Sequence, residues 1–227
     1  MDIQTIIYAA IGGVVPPLLW LWFWDREDRA HPEPKRMIIL TFIAGALTVP
    51  LVIPFQKYAK DILVSTPLIL IAWSSIEEIL KFAVAYFVVL TRKVVDEPID
   101  MIIYMLTIAL GFSALENALY LFTSLQESTT LASLYKGNSR FIGATLLHVL
   151  ASSSIGVAMA FAFYKKRIFK IIITTIGLIF AIIIHSLFNI SLVTYTGANI
   201  NNIFIFVWIG LIFLLLAFEK VKRIRHQ

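Results

Sequence analysis

The chain has 227 residues, 59% of them hydrophobic and 15% charged, with a mean hydropathy of +0.87. A soluble domain of this length carries about 25% charged residues, so the composition excludes that class and points to an all-α, polytopic membrane protein. No cysteine is present, which excludes thiolate metal sites, a cysteine nucleophile and disulfides; the formal net charge of +5 lies in short loops between apolar runs and reads as a topology signal, not as a nucleic-acid footprint.

Runs of about 17–25 apolar residues are long enough to cross a bilayer. The sequence predicts about seven transmembrane helices in one bundle, over 3–24, 37–55, 66–90, 99–123, 141–164, 169–194 and, shortest, 203–218. The first run begins MDIQ, without a basic leader, and is too long for a signal-peptide core, so it is read as a membrane span. Pro16–Pro17 should kink it, and Trp20, Trp22 and Trp24 near its end read as an interfacial anchor. Pro67 suits the first turn of the third span. No soluble domain, repeat or low-complexity tract interrupts the series, so residues 1–227 are read as a single membrane-embedded domain.

The cations divide unevenly between the two sides. Arg26, Arg29, Lys35 and Arg36, then Arg92 and Lys93, then Lys165, Lys166, Arg167 and Lys170, then Lys220, Lys222, Arg223 and Arg225 fall on one side. Lys57, Lys60, Lys136 and Arg140 fall on the other, and Lys81 lies inside a span. The positive-inside rule then predicts an external N-terminus and a cytoplasmic C-terminus.

The third span contains "WSSIEEILKFAVAYF", with Glu77, Glu78 and Lys81 inside otherwise bilayer-compatible sequence. A central membrane charge costs ~3 kcal/mol on insertion scales, so three left unpaired would cost on the order of 7–10 kcal/mol. Glu116 in the fourth span, His148 in the fifth and His185 in the sixth join them, with Asn117 beside Glu116 and Asn189 four residues after His185. Spacings of i, i+4 put Glu77 with Lys81 and His185 with Asn189 on shared helix faces, while Glu78 and Lys81 are i, i+3. Neutralisation and interhelical hydrogen bonding explain one such residue well, but six ionisable groups on four consecutive spans point to a functional site. By helical rise Glu77 lies ~16 Å, Glu116 and His148 ~10 Å and His185 ~13 Å from the outer ends of their predicted spans, a single polar layer.

A carboxylate pair, two histidines and an asparagine can activate water. A glutamate can act as general base, a histidine can orient the water, and Asn and His N–H groups can stabilise an oxyanion. Neither G-x-S-x-G nor H-E-x-x-H occurs, so an elbow-type serine hydrolase and an ordinary zincin are unsupported. Ser152, Ser153 and Ser154 read as small helix-packing residues.

"EEILK", "FSALEN" and "HSLFN" fit E-E-x-x-K, F-x-x-x-E-N and H-x-x-x-N, with His148 isolated between the last two. In that order on successive helices they resemble the PrsW-type intramembrane proteases, bacterial relatives of the CAAX-prenyl-protease and bacteriocin-processing superfamily. The resemblance covers about residues 20–195, since "DREDRAHPEPKR" is similar to the family's acidic–proline–basic first loop. It implies a protease domain in the bacterial cell membrane that makes the first, extracytoplasmic-side cut in a single-pass membrane protein such as an anti-sigma factor. Carried onto this chain, Glu77, Glu78, Lys81, Glu116, His148, His185 and Asn189 form the catalytic set. The wider superfamily usually has E-E-x-x-x-R and F-x-x-x-H; here the basic residue comes one position earlier and Glu116 replaces a histidine, which suggests that His148 supplies the imidazole.

The resulting assignment makes Glu77 the base, with His148 orienting the water. His185 and Asn189 become oxyanion donors, Glu78 and Lys81 tune the base, and Asn117 supports from behind. No cofactor is required by this scheme. Zinc stays open, because two His and two Glu can hold it; the metal-free route is preferred because no two of the His and Glu candidates have the i, i+4 spacing of helix-borne zinc pairs. A proton- or ion-coupled transporter also needs buried carboxylates and histidines, but should carry polar groups in both halves of its spans. A non-catalytic membrane scaffold is the third reading.

Overall fold

In the computed structural model, residues 3–27, 32–127, 130–194 and 199–224 are described, the stretches 127–142 and 199–203 by backbone alone. Among the described residues there are seven long helices and no strand: α1 (Ile3–Glu27), α2 (Lys35–Ile62), α3 (Thr66–Ala85), α4 (Pro98–Glu127), α5 (Thr130–Phe161), α6 (Arg167–Thr194) and α7 (Asn199–Val221). A π-turn, Tyr86–Leu90, continues α3 and completes the predicted 66–90 segment. Six of the helices are long and apolar enough to cross a membrane; α3 has the length but carries Glu77, Glu78 and Lys81. Pro67 does sit in the first turn of α3, and α1 runs as one helix through Pro16 and Pro17.

Helix ends differ from prediction where polar residues continue a helix past its apolar run. α2 extends to Ile62 instead of 55, and α5 begins at Thr130 instead of 141. The stretch between the predicted fourth and fifth spans is helical on both sides of residues 128–129, which lie outside the described residues. Apolar length measures what the bilayer can cover, whereas leucine, alanine, glutamine and lysine continue a helix into water at little cost.

α4 is the central helix, packed on α1, α2 and α5, and nearly all of its residues from Pro98 to Ala114 are buried. Its contact with α2 is backbone to backbone. A Cβ at Gly45 would meet the Ile108 carbonyl, and one at Gly111 would meet the Phe42 carbonyl, so glycine is what allows this approach. The outer faces of α2, α6 and α7 expose Leu47, Ile179, Phe213 and similar side chains, as expected of a lipid-facing surface. Trp24 corrects one expectation: it is buried and packs against Phe218 of α7, with ring centroids 5.5 Å apart, while Trp22 stays exposed beneath the Arg26 guanidinium. Two residues turn a helix by about 200°, so adjacent members of the tryptophan cluster face opposite ways.

A second buried polar cluster, unanticipated from sequence, closes the other end of α4. Tyr104 donates its hydroxyl hydrogen to Glu33, and Asp100 caps the helix start by accepting the Asp96 and Glu97 N–H groups at 2.9 and 2.8 Å. The polar residues are therefore not confined to one half of the bundle. This cluster ties the first loop to α4 through Glu33 and Tyr104.

Candidate active site

α3 supplies the centre of the site. Glu77, Glu78 and Lys81 are all buried, and the two adjacent glutamates point to different partners because one residue turns the helix by about 100°. Glu78 faces inward. Its Oε1 accepts from Lys81 Nζ at 2.5 Å and from His185 Nδ1 at 2.8 Å, and its Oε2 accepts from Ser152 Oγ at 2.7 Å. The ion pair with Lys81 is thus the i, i+3 one. Lys81 also lies over the Phe112 ring, 4.7 Å from its centroid, so the ammonium is held by a carboxylate, an imidazole and an aromatic face.

Glu77 faces α2. Gln56 Nε2 donates to its Oε1 at 2.8 Å, and Gln56 is itself fixed by Trp73 Nε1 donating to its backbone carbonyl at 2.9 Å. The second oxygen, Glu77 Oε2, is buried without a hydrogen-bond partner and stands 3.6 Å from His185 Nε2.

The two imidazoles, 5.0 Å apart edge to face, have tautomers set by their neighbours. An ammonium can only donate, so His148 Nδ1 accepts from Lys81 Nζ at 3.1 Å, and Nε2–H donates to Glu116 Oε2 at 2.7 Å. His185 gives its Nδ1–H to Glu78, which leaves the Nε2 lone pair facing Glu77. In its neutral form His185 therefore presents an acceptor toward Glu77, whereas the oxyanion-donor role read from the sequence requires a proton on Nε2.

The structure brings Glu77, Glu78, Lys81, Glu116, His148 and His185 into one connected cluster. Asn189 joins through Ser74, donating to its Oγ at 3.2 Å one helical turn before Glu78. Asn117 stands apart, bonded to Ser113 and Thr145 between α4 and α5. Besides Ser74, two residues bonded directly to the glutamates were not anticipated. Ser152 was read as packing, yet it lies one turn after His148 on the same face of α5, a spacing that could have found it. Gln56 comes from a different helix and no local pattern marks it. With α4 ending at Glu127 instead of 123, Glu116 lies ~16 Å from that helix end, and Glu77 and His185 lie ~16 and ~13 Å from Thr66 and Thr194. His148 lies ~27 Å from the start of α5, because that helix begins eleven residues earlier than predicted.

Glu77, His148 and His185 each offer a donor atom, all within 4.8 Å of one another. Their chemistry is the His2Glu set of a catalytic zinc, and tetrahedral bonds of about 2.0–2.1 Å place neighbouring donors about 3.4 Å apart, close to the separation of Glu77 and His185. The Glu78 carboxylate behind His185 supplies the outer hydrogen bond that orients a metal-bound imidazole. The residues fit such an ion, provided that His148 exchanges one of its present partners. Because the donors come from α3, α5 and α6, spacing along a single helix has no bearing on whether a metal binds.

A family model described as PrsW family intramembrane metalloprotease matches residues 33–217. Protease PrsW of Geobacillus kaustophilus is 30% identical over 159 residues, spanning 69% of this chain and 65% of the relative. Protease PrsW of Oceanobacillus iheyensis is 27% identical over 218 residues, 93% of this chain and 94% of the relative. That of Bacillus subtilis is 27% identical over 165 residues, covering 71% and 70%. No solved structure matches the chain. With a family model spanning most of its length over the four helices that carry the site, the chain belongs to the PrsW family of intramembrane metalloproteases.

Proposed function

We propose that this multi-pass membrane protease hydrolyses a peptide bond in a single-pass membrane protein, on the extracytoplasmic side, with Glu77 as general base. The observation that carries the reading is the free Oε2 of Glu77, buried and facing the His185 Nε2 lone pair across 3.6 Å. A water seated there gives one hydrogen to each acceptor, and its oxygen lone pair is aimed outward at a substrate carbonyl. Gln56 holds the other carboxylate oxygen, so Glu77 cannot turn away.

As the water oxygen bonds to the carbonyl carbon, its proton passes to Glu77 Oε2 and the carbonyl π pair moves to oxygen. The second amide hydrogen of Asn189 is a donor for that oxyanion, and His148 Nε2–H becomes another when it exchanges Glu116 for the substrate oxygen. Collapse of the intermediate breaks the C–N bond, and the amine nitrogen takes the proton from Glu77. A carboxylic acid and an amine leave, and Glu77 is again a carboxylate. Glu78 keeps all its oxygens engaged and orients His185; Lys81 balances its charge. An ion held by Glu77, His148 and His185 would supply Lewis acidity to the same water.

An anti-sigma factor with one membrane span is the substrate that the family resemblance favours. The cation distribution supports an external N-terminus and a cytoplasmic C-terminus, which puts the Thr66 and Thr194 ends of the bundle outside. Detergent-purified protein incubated with such a substrate tests the reading. Glu77→Gln keeps the shape and the Gln56 contact but removes the base, so cleavage should stop while the protein still accumulates in the membrane. Wild-type turnover by that variant would overturn the assignment.

A further inference from the structure

Below the polar layer, α3 and α6 part. Ser74–Asn189 and Glu78–His185 draw the two helices together, but no polar pair among the described residues links them from Phe82 onward. There a cavity of about 480 Å3 opens between the α3 π-turn, α4, α5 and the start of α6. Its two ends differ in chemistry. Phe82, Tyr86, Met159 and Phe163 line an apolar stretch that starts one turn from Glu78. Arg167 and Lys170 stand at the far end, with Thr91 and Thr174 beside them.

We propose that this groove is a binding site for an anionic phospholipid, its phosphate at Arg167 and Lys170 and an acyl chain running toward Phe82. Three observations carry it. Both cations are exposed and lack an ion pair among the described residues, and no carboxylate lines the groove. Lys170 Nζ lies 5.4 Å from the Phe163 ring centroid, which sets the exposed ammonium at the mouth of the apolar stretch. The volume falls in the range of small-ligand clefts, about 300–1,000 Å3, whereas a helix about 10 Å across would fill it within roughly one turn. A chain with a charged head fits; a second transmembrane helix does not. Basic pockets between membrane helices on the cation-rich side suit such headgroups. The proposal is independent of the catalytic reading, since it uses none of the residues of the polar layer.

Native mass spectrometry of the full-length protein, titrated with phosphatidylglycerol or phosphatidylcholine, tests it. Wild type should bind phosphatidylglycerol preferentially, and R167Q/K170Q should bind it about tenfold or more weakly, as expected for two cations near a lipid phosphate. K165Q/K166Q removes the same charge from the adjoining α5–α6 connection, outside the groove, and should bind like wild type. Thr174→Trp fills the groove without changing charge and should also lose the lipid, so the test stands if the arginine–lysine variant folds poorly. Equal weakening by both double variants would assign the effect to loop charge and overturn the proposal. So would displacement by equimolar inorganic phosphate, or a photoreactive residue at position 86 that labels a protein substrate and no lipid.

Discussion

His185 Nδ1 lies 2.8 Å from Glu78 Oε1, and this one contact divides the labour between the two adjacent glutamates. Glu78, which also accepts from Lys81 and Ser152, is a fixed anion with no oxygen left for substrate. Glu77, its neighbour in sequence, keeps an oxygen without a partner and faces the other nitrogen of the same imidazole across 3.6 Å. A paired carboxylate motif on a helix therefore holds one structural member and one reactive member.

Removing Lys81 should accordingly harm the fold as well as the chemistry. Lys81→Met leaves Glu78 charged at depth, and breaking a buried ion pair from one side costs about 3–5 kcal/mol. The double variant E78Q/K81M removes both charges and should recover part of that loss. Thermal unfolding in detergent, followed by a core tryptophan signal, measures both. Equal destabilisation in the single and double variants would show that the pair is not the source.

Gln56 should act as a positioning residue. Gln56→Leu frees Glu77 Oε1, allows the carboxylate to rotate, and should lower kcat by about 10–100-fold, the usual effect of removing a group that orients a reacting one. KM should stay near wild type, because Gln56 is bonded to the base and to Trp73. A change confined to KM would instead place Gln56 in substrate binding.

Much of this site is legible in the sequence because its members lie one turn apart on single helices. "EEILK" and "HSLFN" place Glu78 with Lys81 and His185 with Asn189 on shared faces, and four consecutive helices must pack as neighbours. Tertiary pairings are a different matter. The choice of Glu78 over Glu77 for Lys81 depends on which way α3 is rotated, and α5 and α6 set that through Ser152 and His185. Gln56 lies 21 residues from Glu77 and past the end of the predicted second span, so neither spacing nor apolar length marks it. The π-turn at Tyr86–Leu90, which shapes the lipid groove, occurs in a plain apolar run that reads as ordinary helix.

The donor set makes a prediction that does not depend on activity. Cobalt(II) added to chelator-treated protein should give the visible bands of a tetrahedral site, at one equivalent per chain. Glu77→Gln should lose them, since a neutral amide is a poor replacement for the carboxylate among Glu77, His148 and His185. Equal uptake by wild type and variant would place the ion elsewhere and leave Glu77 as base alone.

Orientation can be measured cleanly because the chain has no cysteine. Val64, 99% exposed between α2 and α3, and Lys166, exposed between α5 and α6, should lie on opposite sides of the membrane. Val64→Cys should react with an impermeant maleimide on intact cells and Lys166→Cys only after lysis. The reverse pattern would move the proposed cleavage to the cytoplasmic side.

The position of the cut follows from depth. Glu77, Glu116 and His185 lie ~13–16 Å from the Thr66, Glu127 and Thr194 ends of their helices. A helical substrate keeps each carbonyl in an intrahelical hydrogen bond and shields it from water, so the bond must reach Glu77 in extended form. Extended chain spans at most about 3.3–3.6 Å per residue, so four or five residues cover that depth. Unwinding more of an apolar span would expose backbone groups to lipid at several kcal/mol each, which disfavours deeper cuts. The scissile bond should therefore lie in the juxtamembrane segment or within the outermost turns of the substrate span. Mass spectrometry of the released ectodomain gives its new C-terminus directly. A terminus at the centre of the span, or on its cytoplasmic side, would be incompatible with attack from this layer.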